Sequence, residues 1–402
     1  MNPIIDEAKI DALLSRGVDA VYPTKEKFKE LLMSGKRIRI YLGFDPTAPF
    51  LHIGHALQLR KLREFQDLGH EIIWLFGSFT AMIGDPTDKM AARKQLTADE
   101  VKANAATYKK QASKILKFGG ENPVKVMMND KWLGKMSFKD VVELASHFTV
   151  QQMMERDMFE KRLNEQKPIH LHEFMYPLMQ GYDSVAMDVD AEIGGSDQIF
   201  NMLAGRTLLR EMKQKEKFVI ALSLLTNSEG KKMSKSEGGF IALTDAPEEM
   251  YGKLMAMDDG MIVPYFTLAT EATSEEIASI EAELAGGKNP KKLKMRLAKT
   301  IVHMYHGRNA AARAEKHFES VFAQGALPEI MPEFTVATSM GILDLLVATE
   351  LAPSKGEARR LIEQGGVKLG DVVVTDIGRV VGSADCPSVL QKGKRYFVKL
   401  VA

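Results

Sequence analysis

Two histidines spaced three residues apart follow a strand-like run near the start of the chain. Residues Lys36 to Leu42 alternate basic and apolar side chains, as a strand does, and from Ile53 the apolar spacing becomes helical. His52 and His55 therefore lie where a loop joins a strand end to a helix start, with Gly54 leaving room for a ligand. Because helix N-termini offer unpaired N–H groups to anions, the segment predicts a phosphate or ribose site. A pair of partly exposed capping histidines would give the same spacing.

A lysine-rich run lies far downstream. Lys231 to Lys235 reads Lys-Lys-Met-Ser-Lys, between Gly230 and Gly238, in a segment too polar to be core. Lysines on a glycine-flanked loop suit a mobile lid whose point charges act on a polyphosphate. A solvated basic turn is the commoner structure for such a run taken alone.

Together, in this order and about one nucleotide-binding domain apart, the two motifs resemble the paired signatures of class I aminoacyl-tRNA synthetases. Further segments narrow the resemblance to the bacterial-type tyrosyl-tRNA synthetase family: Tyr41 to Thr47, Gly84 to Pro86, Tyr176 to Asp183, and Gly194 to Gln198. The resemblance extends from about residue 5 to the C-terminus. The family usually has Trp directly after the glutamine that corresponds to Gln198, whereas this chain has Ile199.

The resemblance implies a reaction and its substrates. The chain would join L-tyrosine to ATP, giving tyrosyl-adenylate and pyrophosphate, and transfer the tyrosyl group to the 3′-terminal adenosine of tRNA(Tyr). Mg²⁺ would accompany ATP, with no protein-held metal and no tightly bound cofactor. The attacking carboxylate is ionised at pH 7, so the first step needs no general base, and catalysis depends on positioning and on stabilising the leaving pyrophosphate.

The resemblance also implies residue roles. The catalytic residues would be Thr47, His52, His55, Lys89, Arg93, Lys232 and Lys235. The ATP-binding residues would be Gly43, Asp45, His52, Gly54, His55, Gly195, Asp197, Leu225 and Lys235. The tyrosine-binding residues would be Tyr41, Thr80, Asp85, Tyr176, Gln180, Asp183 and Gln198, with Tyr41 and Asp183 at the phenol oxygen and Thr80 and Asp85 at the ammonium.

Residue spacing supports part of this set independently. Tyr176, Gln180 and Asp183 are four and three residues apart, which places them on one face of a helix. Buried polar groups without partners cost about 1 to 3 kcal/mol each, so this face suits a small polar ligand better than a core. Asp85, directly before Pro86, is also an ordinary turn residue.

Composition narrows the class of protein. A chain of 402 residues predicts two or three domains, and its 45% apolar content indicates a well-buried globular protein. Charges interrupt every apolar run before it reaches membrane-spanning length, and the first 20 residues show no secretion leader. With Cys386 as the single cysteine, we expect a cytoplasmic protein without disulfides. The net charge of +1 provides no global attraction for nucleic acid, so RNA binding must depend on local basic patches.

The order of the patterns predicts an α/β fold. We expect a Rossmann-like parallel-sheet catalytic domain over residues 1–230. The resemblance implies a dimerisation insertion at about 120–170 that makes the protein a homodimer, a KMSKS loop at 231–245, and an anticodon-stem role for the α-helical region at 246–323. A linker at 324–338 leads to a small α+β domain at 339–402 that resembles the S4 RNA-binding module. Sheet strands are predicted at 36–42, 71–76, 124–128, 184–192 and 217–222.

The C-terminal region carries the RNA-binding prediction. Lys355, Arg359 and Arg360 lie at helical spacing and form a stripe suited to RNA phosphates, although an ordinary basic helix has the same spacing. The nearest alternative enzyme is a tryptophanyl synthetase, against which the S4-like tail and the pairing of Tyr41 with Asp183 argue. An RNA-binding factor on an inactive synthetase scaffold is a second alternative, and the intact histidine and lysine motifs argue against it.

Overall fold

A computed structural model describes residues 2–86, 96–226, 240–323, 331–393 and 396–402. Its contacts divide the chain into two compact units. The first comprises Met1–Asp245 and Met257–Leu297, and the second comprises Ala246–Ala256 and Ala298–Ala402. Among the helices in these described ranges, none is both long and apolar enough to cross a bilayer.

A six-stranded sheet organises the first unit. Its strands are β1 (Val18–Tyr22), β2 (Arg39–Phe44), β3 (Glu71–Phe76), β4 (Lys125–Met128), β5 (Ala191–Gly195) and β6 (Phe218–Leu222). They lie in the order β1-β6-β5-β2-β3-β4, and all neighbours are parallel except β1 and β6. Most residues of β3, β5 and β6 are buried, as expected for the centre of a parallel sheet covered on both faces. The predicted α/β fold with a parallel sheet is confirmed.

Helices alternate with the strands and follow them along the chain. Those before β5 are α1 (Glu7–Leu13), α2 (Lys25–Met33), α3 (Ile53–Asp67), α4 (Thr80–Ile83), α5 (Ala98–Ala112), α6 (Asp130–Leu133), α7 (Phe138–Ala145), α8 (Val150–Met154), α9 (Asp157–Asn164) and α10 (Leu171–Met187). After β5 follow α11 (Ile199–Lys213), α12 (Pro247–Ala256), α13 (Ile262–Ala269), α14 (Ser274–Ala285), α15 (Pro290–His306) and α16 (Arg308–Ala323). A capping box of Thr97 with Glu100 begins α5.

One predicted strand is wrong in its first half. The residues from Ser184 to Met187 continue α10, and only Ala191–Gly195 form the strand β5. The helix ends at Asp188, which adopts the left-handed conformation at φ 50°. Short apolar runs are compatible with either helix or strand, and here Val185 and Met187 are buried on the helix.

The second unit contains a small C-terminal fold with its own core. Its elements are β7 (Glu333–Thr335), β8 (Met340–Gly341), α17 (Ile342–Ala348), α18 (Lys355–Glu363), β9 (Val367–Leu369), β10 (Val372–Val373), β11 (Val380–Val381), β12 (Ser388–Lys392) and β13 (Tyr396–Val401). The strands form one sheet ordered β10-β9-β12-β13-β7 and a pair β11-β8. A cluster of buried apolar side chains from Val336 to Leu400 lies between these strands and helices.

Candidate active site

Polar side chains follow the carboxyl ends of four parallel strands, at one edge of the first sheet. Asp45 directly follows β2, Thr80 follows β3, Asn129 follows β4, and Gln198 follows β5. The carboxyl ends of parallel strands share an edge, which is where open α/β sheets bind ligands. The structure joins these residues to the polar face of α10 in two hydrogen-bonded clusters.

The first cluster surrounds Asp183. This carboxylate is 2% exposed, and it accepts from Trp132 Nε1 at 2.7 Å and from Asn129 Nδ2 at 3.1 Å. Burial raises the pKa of Asp183 well above its ordinary value, while the two donors oppose that shift. Tyr41 is equally buried, and its hydroxyl lies 3.0 Å from Ser184 Oγ on the same helix. Desolvation likewise raises the pKa of Tyr41 well above its ordinary value.

The second cluster centres on Asp45. Its carboxylate accepts from Thr80 Oγ1 at 2.7 Å and from the Tyr176 hydroxyl at 2.9 Å. Desolvation raises the pKa of Asp45 to about 7, the two hydrogen bonds lower it, and the nearby charge of Asp85 raises it. Asp85 in turn accepts from Gln198 Nε2 at 2.7 Å. Two neighbouring carboxylates with polar partners are suited to holding an ammonium group.

One amide links the clusters. Asn129 is fully buried, and its Nδ2 donates both to Asp183 and to Thr80 Oγ1, each at 3.1 Å. Its Oδ1 accepts from the backbone N–H of Phe79 at 2.8 Å, which fixes the orientation of the amide. A continuous network therefore connects Asp183 to Asp45.

A glycine keeps this network compact. A Cβ placed on Gly77 would overlap Asp45 Oδ1 and approach Thr80 Oγ1 closer than real atoms do. Only glycine therefore permits the Asp45–Thr80 hydrogen bond at this point of the loop after β3.

The histidine motif begins α3 as predicted. His52 is the N-cap residue, its backbone N–H donates to His55 Nδ1 at 3.2 Å, and the two rings stack with centroids 3.8 Å apart. A Cβ on Gly54 would come within 2.9 Å of the His52 ring. The histidines thus cap the helix, and both rings are partly exposed.

The chain that follows the lysine-rich run is tethered to this motif. Ile53 N donates to the Ile241 carbonyl at 3.0 Å, and Leu243 N donates to the Leu51 carbonyl at 2.8 Å. Phe50 and Phe240 stack with ring centroids 5.3 Å apart. Segments about 190 residues apart in sequence are therefore neighbours in space. The predicted residues Lys89, Arg93, Lys232 and Lys235 lie outside the described residues.

The remaining predicted ATP-binding residues lie on β2 and β5 and on the segments after β2, β5 and β6. Gly43 and Thr47 are exposed, whereas Leu225 is buried. A Cβ on Gly195 would lie 2.5 Å from Asp197 Oδ1 and 2.7 Å from Leu224 Cδ2, so glycine lets these two side chains approach. Asp45, expected near ATP, forms its hydrogen bonds with two residues of the tyrosine set, Thr80 and Tyr176.

Sequence reasoning missed several members of the site. Asn129 and Trp132 follow β4, and their position after a strand end is the signal that could have found them. Arg156 was also missed; its guanidinium packs over the rings of Phe159 and Phe200 and lies 3.9 Å from Asp85. Burial lowers the pKa of Arg156. No spacing rule predicts that contact.

The predicted RNA-binding residues lie on α18. Lys355, Arg359 and Arg360 are exposed, opposite the buried Ala358 and Ile362. Lys355 Nζ lies 2.6 Å from Asp344, and Arg360 lies 2.9 Å from Glu357. Exposed pairs of this kind contribute little to stability.

The helical segment after the first sheet is less basic than its lysine count indicates. Lys288 pairs with Glu283 at 2.8 Å, Lys294 with Asp259 at 2.5 Å, and Arg296 with Glu276 at 2.9 Å. Much of this positive charge is therefore compensated within the protein.

Comparison with known proteins agrees with this geometry. Residues 33–323 match the family model described as tRNA synthetases class I (W and Y), and residues 322–400 match the SYY-like C-terminal domain of tyrosine–tRNA ligases. The tyrosine–tRNA ligase of Moorella thermoacetica is 47% identical over 96% of this chain and 94% of its own length. The tyrosine–tRNA ligase of Carboxydothermus hydrogenoformans is 43% identical over 99% of both chains.

Solved structures share the fold. A C-terminally truncated mitochondrial tyrosyl-tRNA synthetase from Coccidioides posadasii superimposes with a TM-score of 0.61 at 27% identity, covering 77% of this chain and 91% of its own. The tyrosyl-tRNA synthetase of Archaeoglobus fulgidus, solved with L-tyrosine, gives 0.61 at 21% identity over 77% of this chain and all of its own. The chain therefore belongs to the tyrosine–tRNA ligase family of class I tRNA synthetases.

Proposed function

We propose that the polar network from Asp183 to Asp45 is the tyrosine pocket of a tyrosine–tRNA ligase. The observation that carries this proposal is the chemistry of its two ends. Asp183 and Tyr41 form a buried acceptor and hydroxyl suited to a phenol, and Asp45 with Asp85 forms an acidic cluster suited to an ammonium. L-Tyrosine carries both groups on one small molecule.

The reaction has two steps. In the first, a carboxylate oxygen of tyrosine attacks the α-phosphorus of ATP, the new P–O bond gives tyrosyl-adenylate, and the bond to pyrophosphate breaks. In the second, a ribose hydroxyl of the terminal adenosine of tRNA(Tyr) attacks the tyrosyl carbonyl carbon and releases AMP. The pocket residues contribute by holding tyrosine in place, because positioning alone can supply several kcal/mol of a barrier, up to about 7 to 11.

ATP is assigned to the edge beside the histidine motif. The start of α3 carries the positive end of the helix dipole. His52 and His55 lie there, and Thr47 lies on the loop that precedes it, so all three are proposed to stabilise charge on the phosphates. Gly43, Gly54, Gly195, Asp197 and Leu225 are assigned to the nucleoside. Lys89, Arg93, Lys232 and Lys235 keep their predicted roles at the pyrophosphate. Mg²⁺ would enter with ATP, held by phosphates and water.

The protein is proposed to act as a homodimer in the cytoplasm. Several large apolar side chains in and beside the expected insertion are exposed, including Phe138 at 84%, Val150 at 71% and Leu171 at 81%. Exposed apolar groups clustered in one stretch of sequence favour burial against a partner, and a second copy of the chain fits this role. The helical domain is assigned to the anticodon stem and the C-terminal fold to tRNA binding through Lys355, Arg359 and Arg360.

Purified protein is expected to catalyse ATP–pyrophosphate exchange that requires tyrosine and does not require tRNA. The measurement is incorporation of labelled pyrophosphate into ATP with each of tyrosine, tryptophan and phenylalanine at matched concentrations. Tyrosine should give the largest kcat/KM, because only its hydroxyl pairs with Asp183 and Tyr41. A larger response to tryptophan, or no response to any amino acid, would contradict the proposed function.

Tyrosine binding should depend on pH through Asp45. The pKa of Asp45 is about 7, above the ordinary 3.8, so in the free protein Asp45 is protonated at pH values between these two. Burying the ionised carboxylate destabilises the fold, and the free energy of unfolding therefore rises as the pH falls from 7 towards 3.8. The substrate ammonium favours the ionised form. Affinity for tyrosine should therefore fall by up to about tenfold per pH unit below pH 7, with release of up to one proton.

Calorimetry between pH 5.5 and 8.5, in two buffers of different ionisation enthalpy, measures both quantities. Asp45→Asn should make the affinity nearly independent of pH over this range, at a lower level. Equal affinity of the unchanged protein at pH 6 and pH 8, with no proton exchanged, would show that tyrosine binding is not coupled to ionisation of Asp45.

A further inference from the structure

A fully buried lysine lies beside the proposed tyrosine pocket. Lys217 directly precedes β6, is 0% exposed, and places its ammonium among oxygen atoms. Its Nζ donates to Ser184 Oγ at 2.8 Å, to the Met202 carbonyl at 3.0 Å, and to the Glu192 carboxylate. A lysine has three donors, and here each has a partner, so the cost of burying the charge is offset by complete pairing.

Two glycines provide the space for this ammonium. A Cβ on Gly205 of α11 would lie 2.5 Å from Lys217 Nζ and 2.7 Å from Ser184 Oγ. A Cβ on Gly181 of α10 would lie 3.1 Å from the Gly205 nitrogen, so both helices need glycine where they cross. The site is therefore built into the contact between the two helices.

The first connection to the pocket passes through Ser184. Lysine can only donate, so Ser184 accepts from Lys217, which favours donation of the serine hydrogen to Tyr41, 3.0 Å away. The Glu192 carboxylate also hydrogen-bonds to the Tyr41 hydroxyl and helps to raise its pKa, so a bound phenol would replace Glu192 as the acceptor of the Tyr41 hydrogen. A phenol could accept from Tyr41 and donate to Asp183, whereas phenylalanine can do neither.

The second connection passes through Glu192. The two carboxylate oxygens divide their roles: one accepts from Lys217, and the other accepts from Gln180 Nε2 at 3.0 Å. Because the Gln180 amide nitrogen donates to Glu192, the amide is oriented with its Oε1 as the remaining acceptor. The ammonium group of a bound tyrosine requires such an acceptor.

The sheet makes the arrangement rigid. Tyr41 and Glu192 are paired residues of the neighbouring strands β2 and β5, and Glu192 pairs with Val219 of β6, two residues beyond Lys217. Alternation along a strand puts Lys217 and Val219 on one face. Side chains fixed on adjacent central strands can hold a geometry that loop residues cannot.

We infer that the buried Lys217–Glu192 pair positions the tyrosine pocket, setting the Tyr41 hydroxyl through Ser184 and the Gln180 amide through Glu192. This inference rests on the proposed function, because it requires Tyr41 and Gln180 to line the tyrosine pocket. Lys217, Glu192 and Ser184 are positioning residues that act through other side chains. A pair that serves stability alone would affect folding without affecting the choice between tyrosine and phenylalanine.

Ser184→Ala is the primary test, because it removes the link to Tyr41 and leaves the ion pair and the Met202 contact in place. The ratio of kcat/KM for tyrosine to that for phenylalanine in ATP–pyrophosphate exchange should fall about 3- to 10-fold, the size of one hydrogen bond. The KM for tyrosine should rise by a similar factor, with the KM for ATP unchanged. Thr270→Val is the matched control: it removes another buried hydroxyl, bonded to the Phe266 carbonyl at 2.6 Å, and should leave the ratio unchanged.

A second variant tests the pair without leaving a lone buried charge. Lys217→Met combined with Glu192→Gln removes both charges together and keeps an amide oxygen facing Gln180. It should lower the ratio as Ser184→Ala does, and adding Ser184→Ala to it should lower the ratio no further. Thermal unfolding monitored by circular dichroism shows that each variant is folded.

The outcomes separate the inference from the function on which it rests. Two results would show that the positioning role is wrong while the pocket assignment stands. In the first, Tyr41→Phe lowers the tyrosine-to-phenylalanine ratio of kcat/KM and Ser184→Ala does not. In the second, the loss caused by the combined variant and the loss caused by Ser184→Ala add independently. If Tyr41→Phe also leaves the ratio unchanged, both the pocket assignment and the inference are wrong.

Discussion

Asp183→Asn is expected to lower kcat/KM for tyrosine in ATP–pyrophosphate exchange by roughly 10² to 10⁴-fold, corresponding to about 3 to 5 kcal/mol. The loss has two parts. The substrate phenol loses a charged acceptor, which is worth about 1.5 to 3 kcal/mol. In addition, Trp132 Nε1 and Asn129 Nδ2 both donate to Asp183, so an amide at this position must turn its own NH₂ group toward one donor and leave it unpaired.

Phenylalanine provides the internal comparison. It has no hydroxyl to lose, so its kcat/KM should fall much less than that of tyrosine, and the preference between the two should shrink. Asp188→Asn is the matched control on the same helix: Asp188 is exposed and left-handed, a conformation that Asn tolerates. If Asp183→Asn keeps kcat/KM for tyrosine within threefold of the unchanged protein, Asp183 does not contact the phenol.

Removal of the chain after Ala323 is expected to spare tyrosine-dependent exchange within about twofold and to reduce tRNA charging by at least about 10²-fold. The C-terminal fold has its own core, from Val336 to Leu400, and so its loss should not open the sheet of the first unit. Exchange requires only tyrosine and ATP, whereas charging also requires the tRNA to be held. Measuring both activities on the same preparation separates the two effects.

A triple variant of the full chain tests which residues cause that loss. Replacing Lys355, Arg359 and Arg360 by Ala should weaken tRNA binding and reduce the slope of log affinity against log salt by up to about three, one per lost phosphate contact. Lys399→Ala, which removes an exposed cation of β13 paired with Glu333, is the control. Parallel loss of exchange and charging on truncation would show instead that the C-terminal fold supports the catalytic unit.

Local sequence patterns predict many of the helices and strands of this protein. The strand Glu71–Phe76 and the helix start at Ile53 both depend on residues within a few positions of one another, and the structure confirms them. The spacing of Tyr176, Gln180 and Asp183 likewise placed three polar groups on one helical face, which is where they lie. The roles of those residues remain proposals.

Other features depended on the tertiary structure. The pairing of Asn129 with Asp183, and of Lys217 with Glu192, joins residues from different strands and helices. In sequence, Lys217 is the first residue of the predicted strand 217–222, and nothing local indicates that its ammonium is buried. It is buried because β6, β5 and β2 are neighbours, an order that the apolar pattern of each strand does not encode. Hydrophobic periodicity determines which face of an element is buried, whereas strand order and helix contacts determine which polar groups meet there.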